Sequence, residues 1–206
     1  MQSKKIIITA SLICTTIIWL ACSSSANEAD AAITGSDPAK QAEAEEGNLI
    51  PRGEYLLTVG GCNDCHTPKI FSPNGMSLDS SKLYSGHPAG SKLPSPDPKA
   101  LVPGQWLQMA PDVTAFVGPW GISYAANLTP DSATGIGTWT ADVFIKTLRT
   151  GKHLGMDNGR PILPPMPWPN LAKLKDEDLK AIYTYLMSLP PISNRVPGPV
   201  PPNELK

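Results

Sequence analysis

Two thiols and an imidazole stand within five residues of one another in Cys62-Asn63-Asp64-Cys65-His66. On one helical turn, positions i and i+3 share a face, so both sulfurs can meet one planar partner while the next residue brings an imidazole to it. This is the attachment pattern of c-type haem: the thiols add to the two vinyl groups and the histidine takes the iron. With 4 cysteines and 3 histidines in 206 residues, chance produces such a run about once in a thousand chains of this kind. A thioredoxin-like dithiol needs a βαβ setting with its first cysteine opening a helix, whereas here the pair closes an expected helix. A zinc site needs four ligands, commonly two such pairs, and only one pair exists. No clustered carboxylates with a convergent histidine accompany the motif, so no catalytic residue is assigned.

A haem iron of this kind usually takes a second axial ligand, and methionine raises its potential. The candidates outside the N-terminal segment are Met76, Met109, Met156, Met166, Met187, His87 and His153. Met187 falls on an expected helix, where core packing accounts for it. Met76, Met109 and His87 lie in a long segment without supporting pattern. Met166 is flanked by Pro164, Pro165 and Pro167 and followed by Trp168. Prolines hold the backbone extended at low entropy, which presents a weak thioether ligand with little ordering cost. Met166 is therefore the favoured distal ligand, ahead of Met156 and His153.

Three helices are expected to position these groups. The first spans about Leu49 to Gly61, with Pro51 suited to its first turn. The second opens at Thr140, a good N-cap; Phe144, Ile145 and Leu148 share a side before Gly151 stops it. The third carries Asp176, Glu177 and Asp178 where the helix dipole favours negative charge. Leu179, Ile182, Tyr183, Leu186 and Leu189 then recur at helical spacing up to Pro190-Pro191. Residues 67–126, rich in proline, glycine and serine, show no strong period and read as one long loop, as do residues 155–172. The 23 prolines and 17 glycines of the chain favour such loops over long elements. A loop of that length needs something to wrap, and an apolar cofactor supplies it. No internal repeat is present, so one haem is expected.

The N-terminus reads as an export signal over residues 1–21: Lys4 and Lys5 precede an apolar run from Ile6 to Ala21, too short to span a bilayer. Trp19-Leu20-Ala21-Cys22, followed by three serines, resembles the lipobox of bacterial lipoproteins, which makes Cys22 the expected lipidation site and the protein membrane-tethered rather than membrane-spanning. Cys14 falls inside the signal, so no pair remains for a structural disulfide. Residues 22–48 carry six acids against Lys40 and no apolar period, and read as a disordered acidic tether with a reach of about 30 Å. Residues 49–194 form the expected domain and 195–206 a Pro-rich tail. The formal charge of −1 excludes a strongly basic nucleic-acid binder. Residues 49–206 carry about +2, a weak bias toward acidic partner surfaces.

Several separated motifs in order carry a resemblance. They are Arg52-Gly53-Glu54-Tyr55-Leu56, Gly61-Cys62-Asn63-Asp64-Cys65-His66-Thr67, Asn127-Leu128-Thr129-Pro130-Asp131, Thr134-Gly135-Ile136-Gly137-Thr138-Trp139, Leu148-Arg149-Thr150-Gly151, Pro165-Met166-Pro167-Trp168 and Leu174-Lys175-Asp176-Glu177-Asp178-Leu179. The stretch Arg52 to Asn194 resembles the class I cytochrome c domains that serve as electron-transfer subunits or domains of bacterial membrane-associated dehydrogenases. The resemblance implies an all-α, cytochrome c-like fold with crossing terminal helices and long Pro/Gly-rich loops around one covalently bound haem c. It implies that Cys62 and Cys65 hold the haem, that His66 and Met166 ligate the iron, and that Gly53 lets the terminal helices approach near Tyr183 or Leu186. Trp139 and Trp168 are either haem walls or ordinary core. Asn127 is expected to brace a loop. Lys146, Arg149, Lys152 and Arg160 form either a basic docking rim or a solvated helix face. The expected function is a non-enzymatic, exported, periplasmic electron carrier between a dehydrogenase and a respiratory acceptor. The alternative is a haem protein with an open distal site, ligand-binding or peroxidatic.

Overall fold

The computed structural model describes residues 38–205. The expected signal, Cys22 and the tether as far as residue 37 lie outside the described residues. The described chain forms five α-helices: α1 (Pro38–Val59), α2 (Cys62–His66), α3 (Ala141–Thr150), α4 (Trp168–Leu171) and α5 (Asp176–Ser188). Helix α1 begins at Pro38 rather than Leu49, which puts Pro51 inside the helix instead of in its first turn. Residues 38–46 are mostly Ala, Glu, Gln and Lys, which favour helix even without an apolar stripe.

The all-α expectation is corrected by two small antiparallel sheets, which make the fold mixed α/β. One is a hairpin of β1 (Lys69–Ser72) and β2 (Gly75–Leu78). The other has three strands in the order β3 (Gln108–Met109), β4 (Ala115–Gly118) and β5 (Gly121–Tyr124). All lie in the segment read as a loop. Strands of two to four residues are too short to show a period of two, and β2 is exposed along its whole length, so no alternation marks it. The Pro-rich C-terminal segment also joins this sheet: Val200 exchanges hydrogen bonds with Ile122, N to O at 3.0 and 2.8 Å.

Helices α1 and α5 cross and bury Leu57, Leu179, Ile182 and Leu186 with Tyr84, Ile136, Phe144 and Leu148 of the intervening chain. The crossing centres on Gly53. A Cβ there would stand 2.1 Å from the Ala181 carbonyl oxygen and 2.7 Å from Tyr185 Cβ, so the closest neighbours are Ala181 and Tyr185 rather than Tyr183 or Leu186. Beside it the Arg52 guanidinium donates through Nε and Nη2 to Asp178 Oδ1 at 3.0 and 2.9 Å. Helix α3 is capped as its sequence predicts, with Thr140 Oγ1 accepting from Val143 N–H and Gly151 closing it at φ 65°. Among the described residues, no helix is long and apolar enough to cross a membrane.

Candidate cofactor-binding site

The thiol–imidazole motif does not close the first helix. Gly61, at φ 64°, breaks the chain after α1, and Cys62 to His66 form the separate one-turn helix α2. Only a residue without a Cβ takes that left-handed turn at little cost. Four side chains then fix the short helix. Asn63 Nδ2 donates to Tyr84 Oη at 2.9 Å, and Asn63 Oδ1 accepts from Thr67 Oγ1 at 2.6 Å. The Thr67 hydroxyl in turn accepts from Tyr84 N–H at 2.9 Å. Lys69 Nζ donates to the Asn63 and Thr67 carbonyls at 3.3 and 2.7 Å and also to the Asp64 carbonyl, placing a cation at the helix C-terminus, where the dipole favours it. Sequence reasoning assigned no role to Lys69, Tyr84 or the Asn63–Thr67 pair. Tyr84 reaches the motif from 21 residues away, whereas Lys69 and Thr67 act from within a few residues of it through side-chain bonds that no periodicity marks.

His66 is buried, and its Nδ1 lies 2.8 Å from the Ala126 carbonyl oxygen just beyond β5. A carbonyl only accepts, so Nδ1 carries the proton and Nε2 keeps its lone pair. A bond of this kind from the other ring nitrogen fixes the tautomer and orients a metal-ligating imidazole. Burial holds the ring below the usual histidine range, against the raising effect of the Ala126 bond, which keeps it neutral and able to ligate. The thiols are shifted the other way. Burial, with Cys65 and Asp64 nearby, pushes Cys62 up to about 11, and burial raises Cys65 as well. Both are therefore thiols at neutral pH, unlike the low-pKa thiolate of a redox dithiol.

Cys65 and His66 open onto a cavity of about 430 Å³ that Met166 also lines. Its walls are mainly apolar, with Trp139, Phe144 and Leu148 among them. Cys62 does not line it and is half-buried against the core. Of the other candidate ligands, His153 lines the cavity and stacks on Trp139, with ring centroids 5.6 Å apart. Met156 is exposed and does not line it. Met76 and Met109 are exposed on β2 and β3, Met187 packs against the core, and His87 is buried elsewhere. Trp139 is a cavity wall, whereas Trp168 packs over Gly151.

The cavity's charges set a fit test for a haem. Arg160 and Arg195 line it while remaining exposed on their outer sides, and among the described residues no acidic side chain lines it. An apolar plane bearing two carboxylates matches apolar walls with two guanidiniums at the mouth and an imidazole and thiol inside. The residues fit. Of the four cations read as a docking rim or a solvated helix face, Arg149 is neither: it donates to the Leu174 carbonyl at 2.6 Å, to Asp176 Oδ1 at 2.5 Å and to the Ala172 carbonyl. Asn127 braces its loop as expected. Its Nδ2 donates to the Ile192 carbonyl at 2.8 Å, and its Oδ1 accepts from Thr129 N–H at 3.0 Å and from the Thr129 hydroxyl at 2.7 Å.

No protein-family profile matches the chain. Among curated proteins, it is 33% identical over 139 residues to the gluconate 2-dehydrogenase cytochrome c subunit of Pantoea cypripedii, covering 68% of this chain and 23% of that one. It is 30% identical over 149 residues to the cytochrome c subunit of the quinone-dependent alcohol dehydrogenase of Gluconobacter oxydans, covering 72% and 23%. Identity is also 30% over 139 residues to the fructose dehydrogenase cytochrome subunit of Gluconobacter japonicus, covering 68% of this chain and 21% of that one. The matched region thus spans less than a quarter of the length of each of these relatives.

Proposed function

This chain is a relative of the cytochrome c subunits of bacterial dehydrogenases, and from that premise we propose that it is a monohaem c-type cytochrome that carries single electrons from a dehydrogenase to a respiratory acceptor. The observation that carries the reading is the meeting of Cys65, His66 and Met166 on one mainly apolar cavity with Arg160 and Arg195 at its mouth. Bound haem supplies a one-electron ferric/ferrous couple. Cys62 and Cys65 would hold the haem through thioether bonds. His66, held by Ala126 through Nδ1, would ligate the iron through Nε2. Met166 would supply its thioether as the second ligand. Arg160 and Arg195, which line the cavity, would pair with the haem carboxylates. The chain itself is not an enzyme. Export to the periplasmic face and anchoring through a lipid on Cys22 complete the proposal, resting on the sequence before residue 38.

The test is a haem-stained denaturing gel of the full chain made in a maturation-competent host. Covalent haem must be present in the wild type and absent from Cys62→Ser/Cys65→Ser. An unstained wild-type band overturns the reading.

A further inference from the structure

The Met166 segment has few ways of being held. Pro164, Pro165 and Pro167 have no backbone N–H, so that stretch is tied to the protein chiefly through its carbonyls, by donors elsewhere. Upstream, Ile162 N–H donates to the Gly151 carbonyl at 2.7 Å, and downstream α4 begins at Trp168. Between these anchors the Met166 N–H reaches only the Leu163 carbonyl, at 3.3 Å within the same loop. One long-range donor fills the gap. Ser123, buried on β5, donates its hydroxyl to the Pro164 carbonyl at 2.6 Å.

That hydroxyl is itself oriented. Trp120 Nε1–H donates to Ser123 Oγ at 3.2 Å, which directs the single Ser123 proton to Pro164. The indole is seated on Gly118, where a Cβ would stand 2.4 Å from the Trp120 ring. Gly118, Trp120 and Ser123 all belong to the β4–β5 hairpin, part of one of the two sheets that make the fold mixed.

We propose that Ser123 is the positioning residue of the distal loop: oriented by Trp120, it ties Pro164 to β5 and so holds the Met166 thioether at the cavity. This rests on the reading of Met166 as the iron ligand. A thioether is a weak ligand, so the loop's rigidity decides how readily an exogenous base displaces it.

The experiment uses the full-length ferric holoprotein and imidazole as competitor, followed by loss of the near-infrared methionine-to-iron charge-transfer band. Ser123→Ala is expected to bind imidazole about fivefold more tightly than wild type, the effect of losing one net hydrogen bond. Ser123→Thr restores the wild-type affinity, and Trp120→Phe, which frees the hydroxyl's orientation, falls between. Imidazole affinity of Ser123→Ala within twofold of wild type, even with lowered thermal stability, overturns the proposal. A wild-type protein without the band overturns the Met166 reading and the latch together. A band that imidazole displaces equally in wild type, Ser123→Ala and Trp120→Phe overturns the latch alone.

Discussion

Gly53 on α1 lies against Ala181 on α5 so closely that a Cβ would come within 2.1 Å of a backbone carbonyl oxygen, an atom that cannot swing aside. Alanine gains about 1 kcal/mol over glycine as a helix former, yet overpacking against fixed backbone costs about 1–3 kcal/mol, with this contact at the severe end. Gly53→Ala is therefore expected to lose about 1–2 kcal/mol net. Denaturant unfolding of the holoprotein checks it; an unchanged or raised midpoint would mean that the helices separate without cost.

Met166 and His153 both line the cavity and compete for the distal role. His153 is already stacked on Trp139, and burial, with Arg160 nearby, holds it below the usual histidine range. Met166→Ala should abolish the near-infrared charge-transfer band and admit carbon monoxide to the reduced protein. His153→Ala should leave the band in place. A wild-type protein without the band, opened to carbon monoxide by His153→Ala and not by Met166→Ala, would transfer ligation to His153.

The helices that carry the site were legible because burial imposes a long period on them. Leu179, Ile182 and Leu186 repeat along α5, and Thr140 and Gly151 mark both ends of α3. The motif Cys62 to His66 was legible because attachment chemistry dictates adjacency. What holds the motif and the distal loop was not. Tyr84 and Ala126 meet α2 from 21 and 60 residues away, and Ser123 reaches Pro164 across 41. Such partners are chosen by tertiary geometry, and a serine in a four-residue strand looks like any loop serine. The Pro-rich tail hid its role similarly: Val200, which still has an N–H, pairs with Ile122, while the stretch from Arg195 to Pro199 lines the cavity.

Arg160 lines the cavity mouth with no side-chain ion pair among the described residues. Burial draws its guanidinium below the usual arginine range. A cation near the iron disfavours the more positive ferric state, so its removal should lower the reduction potential. Arg160→Gln is expected to shift the midpoint down by tens of millivolts, roughly the Coulomb energy of one partly screened charge. Arg160→Lys should recover most of the shift, and added salt should reduce it. Potentiometric titration of the three proteins reads the effect; equal midpoints would remove Arg160 from the haem's surroundings.

His87 is buried away from the cavity, donating from Nδ1 to Thr114 Oγ1 at 2.7 Å, and that hydroxyl donates to Asp112 Oδ2 at 2.9 Å. Its ring also packs on Tyr124, with centroids 4.9 Å apart. Burial lowers its pKa from 6.5, partly opposed by Asp112. The unfolded chain therefore binds a proton at His87 before the folded one does. Its contribution to stability is whole above the ordinary histidine range and is lost as pH falls from about 6.5 toward the folded-state pKa. In that window His87→Gln should flatten the holoprotein's stability–pH curve by up to one proton, about 1.4 kcal/mol per pH unit. Unfolding midpoints measured between pH 7.5 and 4.5 test it. Parallel curves for the two proteins would mean that His87 titrates alike in the folded and unfolded states.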